Sequence, residues 1–112
     1  MPKSKLWDTI KQVKTILTTP VFDSWFSDLR DRQTKARIAA RIDRAEGGNL
    51  GDHKLLSDGV YEMRIHYATG YRIYFKQQGL EIIILLAGGD KTTQQQDIQK
   101  AIQLAKEVSN GT

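Results

Sequence analysis

The segment that decides the fold runs from residue 60 to residue 75 and reads VYEMRIHYATGYRIYF. Apolar and polar side chains alternate along it, and only Ala68-Thr69-Gly70 interrupts the alternation. A period of two is typical of strands that turn one face toward a core. A short loop that contains glycine is typical of a hairpin. We therefore predict two antiparallel strands, Val60 to Tyr67 and Tyr71 to Lys76.

The alternation also predicts how the two strands pair. With Ala68 to Gly70 as a three-residue loop, the apolar partners are Tyr67 with Tyr71, Ile65 with Ile73, and Met63 with Phe75. The polar partners are His66 with Arg72, Arg64 with Tyr74, and Glu62 with Lys76, the last a cross-strand charge pair. A slip by one residue would mix the two faces. We therefore expect one basic face that carries guanidinium, imidazole and phenol groups.

Two helices are predicted before the hairpin. Thr19-Pro20 combines a hydroxyl N-cap with proline at the first helical position. A second amphipathic helix runs from Asp31 to Glu46 and is stopped by Gly47-Gly48-Asn49. Its charged outer face holds Arg30, Arg37, Arg41 and Arg44, which are most simply solvated. The earlier segment Ile10 to Leu17 fits a strand, although a helix that begins near Asp8 also fits.

A further strand and a final helix follow the hairpin. Gln77-Gln78-Gly79 predicts a turn, and Leu80 to Ala87 is apolar on both faces, as in a central strand. We expect Gly88-Gly89 to end this strand. Thr93 and Gln96 have capping-box spacing at the start of an amphipathic C-terminal helix.

Together these elements predict an α+β fold class. We expect a small antiparallel sheet, mixed at one edge, with two N-terminal helices packed on it and a C-terminal helix. Residues 1–9 would form a loose extension, and residues 10–112 a single domain. The chain has 112 residues, 39% of them hydrophobic and 27% charged, which suits one compact domain with one core.

Composition excludes several classes of function. The chain has no cysteine, so disulfides and thiolate metal sites are ruled out, and a reducing cytoplasm is the expected location. Its two histidines, His53 and His66, lack metal-ligand spacing, and we predict neither a metal nor another cofactor. The longest apolar run, Ile82 to Ala87, is too short to cross a membrane, so no membrane partner is expected. The net charge of +4 permits an anionic partner.

The predicted basic face has the groups that RNA cleavage requires. Arginines bind phosphate oxygens in a bidentate manner, and an imidazole can take the proton of the ribose 2′-OH. A tyrosine can stack on a base or donate a hydrogen bond. This chemistry proceeds without a metal, because the 2′-OH itself is the nucleophile.

Three stretches carry a resemblance to a known family. The runs ARIAARIDRAEGGNLGDHKLL, GVYEMRIHYATGYRIYF and LLAGGDKTTQQQDIQKA resemble the RelE/ParE superfamily of toxins, and more closely its HigB-type addiction module killer branch. The similarity covers roughly residues 13 to 106. It implies a toxin that a cognate helix-turn-helix antitoxin of the HigA type inhibits. RelE-like members cut mRNA on the ribosome, whereas ParE-like members poison DNA gyrase.

The resemblance also implies roles for particular residues. Arg72 matches the family's cation that stabilises the phosphate, and Arg64 matches a basic position on a strand. Lys91 matches a basic residue that follows the last strand. Lys54 is the basic residue of the GDxK motif. Tyr74 has no secure counterpart in the family pattern and no motif supports His66, so these two are added from the predicted basic face. The predicted catalytic set is Arg72, Arg64, Lys91, Tyr74 and His66. The predicted RNA-binding set is Lys54, Lys76, Arg37 and Arg41. Some RelE proteins have a late tyrosine, but the corresponding place in this sequence falls near Asp97. The same proteins have a basic residue where this sequence has Glu62. The general base therefore stays unassigned, with His66 and Tyr74 as the candidates.

Three classes of function therefore remain open. The favoured one is an mRNA endoribonuclease, which we expect to act on the ribosome in the way RelE-like toxins do. The second is a gyrase inhibitor without a catalytic site. The third is a binding module that only pairs with its antitoxin. Induction of the protein and mapping of cellular RNA ends separate them.

Overall fold

A computed structural model gives the fold of residues 13–110, with all side chains described except that of Asn110. The expected extension at residues 1–9 lies outside the described residues, as does the beginning of the segment that starts at Ile10. The strands are β1 (Thr15–Thr18), β2 (His53–Ser57), β3 (Val60–Ile65), β4 (Tyr71–Gln78) and β5 (Ile82–Asp90). The helices are α1 (Pro20–Asp28), α2 (Arg32–Glu46) and α3 (Gln94–Asn110), the last preceded by a 3-10 turn (Lys91–Thr93).

The strands form one sheet in the order β1-β5-β4-β3-β2. Strand β1 runs parallel to β5, and the other neighbours are antiparallel. The predicted α+β class and the predicted antiparallel sheet, mixed at one edge, are both confirmed.

Each face of the sheet has its own apolar core. Helices α1 and α2 cover one face, where Phe22 and Ile38 pack with Met63, Ile73 and Phe75. Helix α3 covers the other face, where its alanines pack on residues of β3, β4 and β5 that include Tyr74. The polar side of the β3–β4 hairpin belongs to this second face. It is therefore an inner surface wherever α3 lies over it.

The predicted helix starts agree with the structure for the first two helices. The Thr19 hydroxyl accepts a hydrogen bond from the Phe22 amide at 3.1 Å, and Pro20 opens α1. Asp31 caps α2 by accepting from the Thr34 amide. The predicted Thr93 capping box is wrong, because the Thr93 hydroxyl donates to Asp97 at 2.7 Å instead.

The predicted hairpin faces are right, but the predicted register is wrong by two residues. Arg64 lies opposite Arg72, Met63 opposite Ile73, and Glu62 opposite Tyr74 instead of Lys76. The cause is a longer loop, residues 66–70, in which Ala68 and Gly70 have φ values of 54° and 89°. Since a shift of two preserves the alternation, every side chain keeps its predicted face.

Two further details differ from the prediction. His53 begins the edge strand β2, an element that the prediction did not include and that joins β3 through the left-handed residues Asp58 and Gly59. Gly88 and Gly89 lie inside β5 and do not end it. A Cβ on Gly88 would lie 2.3 Å from the Trp25 ring, and one on Gly89 would lie 1.9 Å from the Asp97 carboxylate. The two glycines thus let a helix approach each face of β5.

Candidate functional site

An open pocket lies at the end of the β3–β4 hairpin. Its volume is about 430 Å³, and residues 64–72 line it together with Lys91. Four of the five predicted catalytic residues are therefore brought to one place: Arg64, His66, Arg72 and Lys91. The Ala68–Gly70 loop forms part of the wall, so the hairpin loop and the strand ends build the pocket together.

A buried carboxylate holds the two arginines of this pocket. The Glu62 side chain is only 1% exposed, and its Oε1 lies 3.2 Å from Arg64 Nε. Its Oε2 lies 3.5 Å from Arg72 Nε, an ion-pair contact that is too poorly aligned for a hydrogen bond. Gln94, at the start of α3, donates to the same Oε2 at 2.9 Å. Glu62 therefore joins both strands and the last helix.

This arrangement leaves the pocket with an excess of positive charge. The residues that line the pocket include three cations, Arg64, Arg72 and Lys91, and no acid. Glu62 contacts both arginines from below, and the charges of Asp52 and Asp90 act on them from nearby. Both arginines contact Glu62 through Nε, so the Nη1 and Nη2 amino groups of each guanidinium are not the atoms nearest to Glu62. Their side chains are 33% and 18% exposed, respectively, and Lys91 is exposed. Two pre-ordered guanidinium groups and an ammonium group suit a phosphate dianion or phosphodiester.

His66 forms an acid–imidazole pair at the rim of the pocket. Its Nε2 lies 2.5 Å from Oδ2 of Asp52, and its side chain is 74% exposed. The hydrogen bond with His66 is the main reason that the pKa of Asp52 lies below its usual value. Because an ionised carboxylate only accepts, Nε2 carries the proton in this pair, and Nδ1 of a neutral ring is left as the proton acceptor.

The backbone around Asp52 is fixed by strand β3 and by Arg41. The Arg64 amide donates to the Asp52 carbonyl at 2.9 Å. The Arg41 guanidinium donates to the carbonyls of Leu50, at 2.8 Å, and of Arg64. Gly51 has a φ of +65°, and a Cβ there would lie 2.5 Å from Arg41 Nη2. The Gly51-Asp52 pair thus places a carboxylate beside the hairpin loop.

The fifth predicted catalytic residue lies outside the pocket. Tyr74 is 0% exposed and belongs to the core beneath α3. Its hydroxyl makes no well-aligned hydrogen bond within residues 13–110, although the Glu62 carboxylate lies close to it. Burial raises the pKa of the Tyr74 phenol, and the nearby charge of Glu62 adds to this effect. Tyr74 is therefore placed as a packing residue. Of the two candidate bases, only His66 lies at the pocket, where the phenols of Tyr67 and Tyr71 also form part of the lining.

The four predicted RNA-binding residues are spread over three parts of the molecule. Lys54 is exposed on the edge strand β2, opposite Glu62. Lys76 is directed to α3, where its Nζ contacts the Ser109 hydroxyl and lies 3.5 Å from the Ala105 carbonyl. Arg37 and Arg41 lie on α2, near the rim that His66 forms. Only the α2 pair adjoins the open pocket.

Comparison with known proteins identifies the family of this chain. The family model for phage-derived protein Gp49-like (DUF891) matches residues 24–109. The chain belongs to this family. The Gp49-like family is of the addiction-module toxin type. A Haemophilus influenzae (strain ATCC 51907 / DSM 11121 / KW20 / Rd) relative, described as an uncharacterized protein, is 50% identical over 97 residues, which cover 87% of this chain and 95% of the relative.

Two functional groups of this Gp49-like protein escape sequence reasoning. Asp52 stands fourteen positions before His66, and only the β2–β3 pairing brings them together. Glu62 was expected to pair with Lys76, but the true register turns it toward the arginines. The Asp58-Gly59 dipeptide is the signal that could have revealed β2, because Asp-Gly strongly favours a two-residue hairpin turn.

The described part of the chain also bears on metals and membranes. Residues 13–110 contain no group of three or more potential metal ligands. Within the same residues, no helix is both long enough and apolar enough to cross a membrane.

Proposed function

We propose that this Gp49-like protein is the toxin of a type II toxin–antitoxin module and cleaves mRNA without a metal. The proposal includes the finer assignment to the RelE/ParE superfamily and its HigB-like branch, and a ribosome-dependent action in the cytoplasm. Its inhibitor would be a small helix-turn-helix antitoxin of the HigA type. The observation that carries the proposal is the meeting of Arg64, Arg72, Lys91 and His66 at one open pocket.

The cations of the pocket would hold the scissile phosphate. Arg64 and Arg72 lie directly opposite each other on one face of the hairpin, and Glu62 contacts the Nε of both. Ordered guanidinium groups cost little reorganisation when charge develops on the phosphorane oxygens. Removing such a group typically slows a reaction by about 100-fold or more. Arg72, the less exposed of the two, is expected to contribute most.

His66 would act as the general base. Its Nδ1 takes the proton of the ribose 2′-OH, while Asp52 stabilises the imidazolium that forms at Nε2. The 2′ oxygen then bonds to phosphorus, and the bond from phosphorus to the 5′ oxygen breaks. The Lys91 ammonium supplies the proton to the leaving 5′ oxygen. The products are a 2′,3′-cyclic phosphate and a 5′-hydroxyl end.

Induction of the protein in a bacterial host, followed by mapping of RNA 5′ ends, tests the proposal. The wild type should arrest growth and produce new mRNA ends that carry a 5′-hydroxyl. Arg72→Ala should abolish both effects and still bind the antitoxin. The matched control is Arg32→Ala, which removes an exposed arginine of α2 that lines neither the pocket nor its rim. Thermal melting shows that each variant is folded.

Three results would contradict the proposal. Full toxicity of Arg72→Ala would show that the pocket is not the site. Growth arrest without new RNA ends, together with trapped gyrase–DNA complexes, would identify a ParE-like gyrase inhibitor instead. Unimpaired growth on induction of the wild type would identify a module that only binds its antitoxin.

A further inference from the structure

A second basic pocket lies on the other side of the hairpin end. Its volume is about 220 Å³, and its walls come from α2 and from residues 65–67. Residues 65–67 also line the first pocket. We call these three residues the 65–67 ridge, because they separate two pockets that open on either side of His66.

None of the residues that line the second pocket is an acid that could pair with its arginines. The lining residues are Arg37, Ala40, Arg41, Arg44, Ile65, His66 and Tyr67, of which three are arginines and none is acidic. The nearest acid with an effect on Arg41 is Asp52, and its carboxylate is already bonded to His66. Three guanidinium groups around a small cavity repel one another unless an anion enters it.

Arg41 shows the strain of this arrangement most directly. Burial lowers the pKa of Arg41, and the adjacent charge of Arg44 lowers it further. Its outer amino groups donate to backbone carbonyls, whereas its Nε is buried without a hydrogen-bond partner in the described chain. Within the described residues, the Arg41 guanidinium bonds neutral carbonyls and no carboxylate, so an anion in this pocket would be bound favourably.

Arg37 and Tyr67 form a rigid wall of the same pocket. The Arg37 guanidinium carbon lies 4.7 Å from the centre of the Tyr67 ring, a stacked cation–π contact. The Tyr67 hydroxyl donates to Gln33 Oε1 at 2.8 Å, which fixes the ring from its far end. The Arg37 fork is therefore ordered although it is on the surface.

We propose that the second pocket binds a backbone phosphate of the same RNA strand whose scissile phosphate occupies the first pocket. This inference rests on the proposed function and adds a subsite to it. A strand that crosses the 65–67 ridge places one phosphate on each side, with a ribose at His66. Arg37 and Arg44 contact the second phosphate, and Arg41 supplies fixed positive charge from the pocket floor. The subsite recognises backbone charge and not base identity.

The salt dependence of RNA binding tests this subsite. The probe is a fluorescein-labelled single-stranded RNA with 2′-O-methyl riboses, which cannot be cleaved, and anisotropy gives the Kd at several salt concentrations. The slope of log K against log salt changes by about 0.7 for each phosphate contact in a single strand. Arg37→Gln with Arg44→Gln should weaken binding and reduce the slope by about 0.7, one contact. Each single variant should act in the same direction.

The control is the pair Arg30→Gln with Arg32→Gln, which removes the same charge from exposed positions that line neither pocket. If both double variants give the same slope, or if Arg37→Gln with Arg44→Gln gives the wild-type slope, the subsite does not exist. Thermal melting confirms the fold of each variant. If the Arg37 and Arg44 changes weaken antitoxin binding and leave RNA binding unchanged, the pocket belongs to the protein partner and the inference is overturned.

The mRNA-cleavage proposal and the second-subsite proposal are tested by different measurements, so each can be contradicted separately. RNA end mapping in cells decides whether the protein cleaves mRNA, whereas the slope decides how many phosphates it contacts. A wild type that produces RNA ends, with an unchanged slope in the Arg37 and Arg44 variants, overturns the second subsite alone. A wild type that neither produces ends nor binds the probe overturns both.

Discussion

The two ends of the β3–β4 hairpin share one face and one pattern of alternation, yet they have opposite environments. At one end Val60 and Tyr74 are fully buried beneath α3. At the other end Arg64 and Arg72 line an open pocket. The boundary lies at Glu62, which Gln94 contacts from the first turn of α3.

This difference shows that alternation determines which face a side chain occupies, whereas another element determines whether that face meets solvent. The 3-10 turn Lys91–Thr93 lets α3 begin beside Glu62, beyond the arginines. The same strands therefore provide a core at one end and a cationic site at the other. A change at each end should accordingly affect a different property of the protein.

The largest effect on stability is expected at the boundary itself. Glu62→Ala removes the only carboxylate that contacts Arg64 and Arg72 within the described residues, and it leaves two partly buried cations side by side. Breaking a buried ion pair in this way typically costs about 3–5 kcal/mol. Urea unfolding should show a loss of about 3 kcal/mol, the lower part of this range, because both arginines keep some contact with water.

Glu81→Ala is the control for this experiment, because Glu81 is an exposed acid at the start of β5. It removes the same charge and should leave the free energy of unfolding nearly unchanged. Equal stability of the two variants would mean that Glu62 does not hold the arginines.

The next largest effect separates the open end from the covered end by activity. His66→Gln should slow RNA cleavage by about 100-fold, because a general base typically contributes at least this much. Lys76→Gln, a change at the covered end of the same hairpin, should leave cleavage nearly at the wild-type rate. Quantitative end mapping after a short induction measures both. A fully active His66→Gln variant would exclude His66 as the base.

Asp52→Asn should lower the cleavage rate less than His66→Gln does, and it adds a pH signature. The pKa of Asp52 in the folded chain lies below its ordinary value of 3.8, chiefly because of the hydrogen bond with His66. The stabilisation from this carboxylate is therefore complete above that value and is lost as the pH falls through the lower folded pKa. The difference in Tm between wild type and Asp52→Asn should shrink below about pH 4. A difference that stays constant down to pH 2 would argue against the pair.

The smallest effect is expected from Tyr74→Phe at the covered end. The change removes a buried hydroxyl that makes no well-aligned hydrogen bond in residues 13–110 and whose nearest charge is the Glu62 carboxylate, and it keeps the ring in the core. Removing a buried hydroxyl that lacks a well-aligned hydrogen bond should leave the free energy of unfolding unchanged or raise it by about 1 kcal/mol. Cleavage should continue at the wild-type rate. A large loss of cleavage with intact stability would return Tyr74 to the catalytic set.

Sequence reasoning was most successful where a local pattern determines the structure. Thr19-Pro20 and Asp31 mark helix starts by their own chemistry, and the alternation in Val60 to Phe75 assigns every side chain to its face. The register was missed because loops of three and five residues both preserve that alternation. The Asp52–His66 pair was missed because it depends on how β2 lies beside β3, and the one local signal of that pairing is the short Asp58-Gly59 turn.

Burial was the other property that the hairpin sequence did not reveal. Tyr74 and Arg72 occupy equivalent alternating positions, and one is fully buried while the other reaches the pocket. Their difference arises from α3, which follows them in the chain. Predicting it requires the position of the last helix on the sheet, and that position depends on Gly89, which leaves room for Asp97 against β5.

The parallel pairing of β1 with β5 has a consequence for synthesis. Thr15 pairs with Ile82, so the first strand has no partner in the described sheet until Ile82 has left the ribosome. Lys91 and Gln94 emerge later still. A nascent chain therefore contains both early helices before it has a finished pocket, and the cationic site forms only after Lys91 and Gln94 have been synthesised.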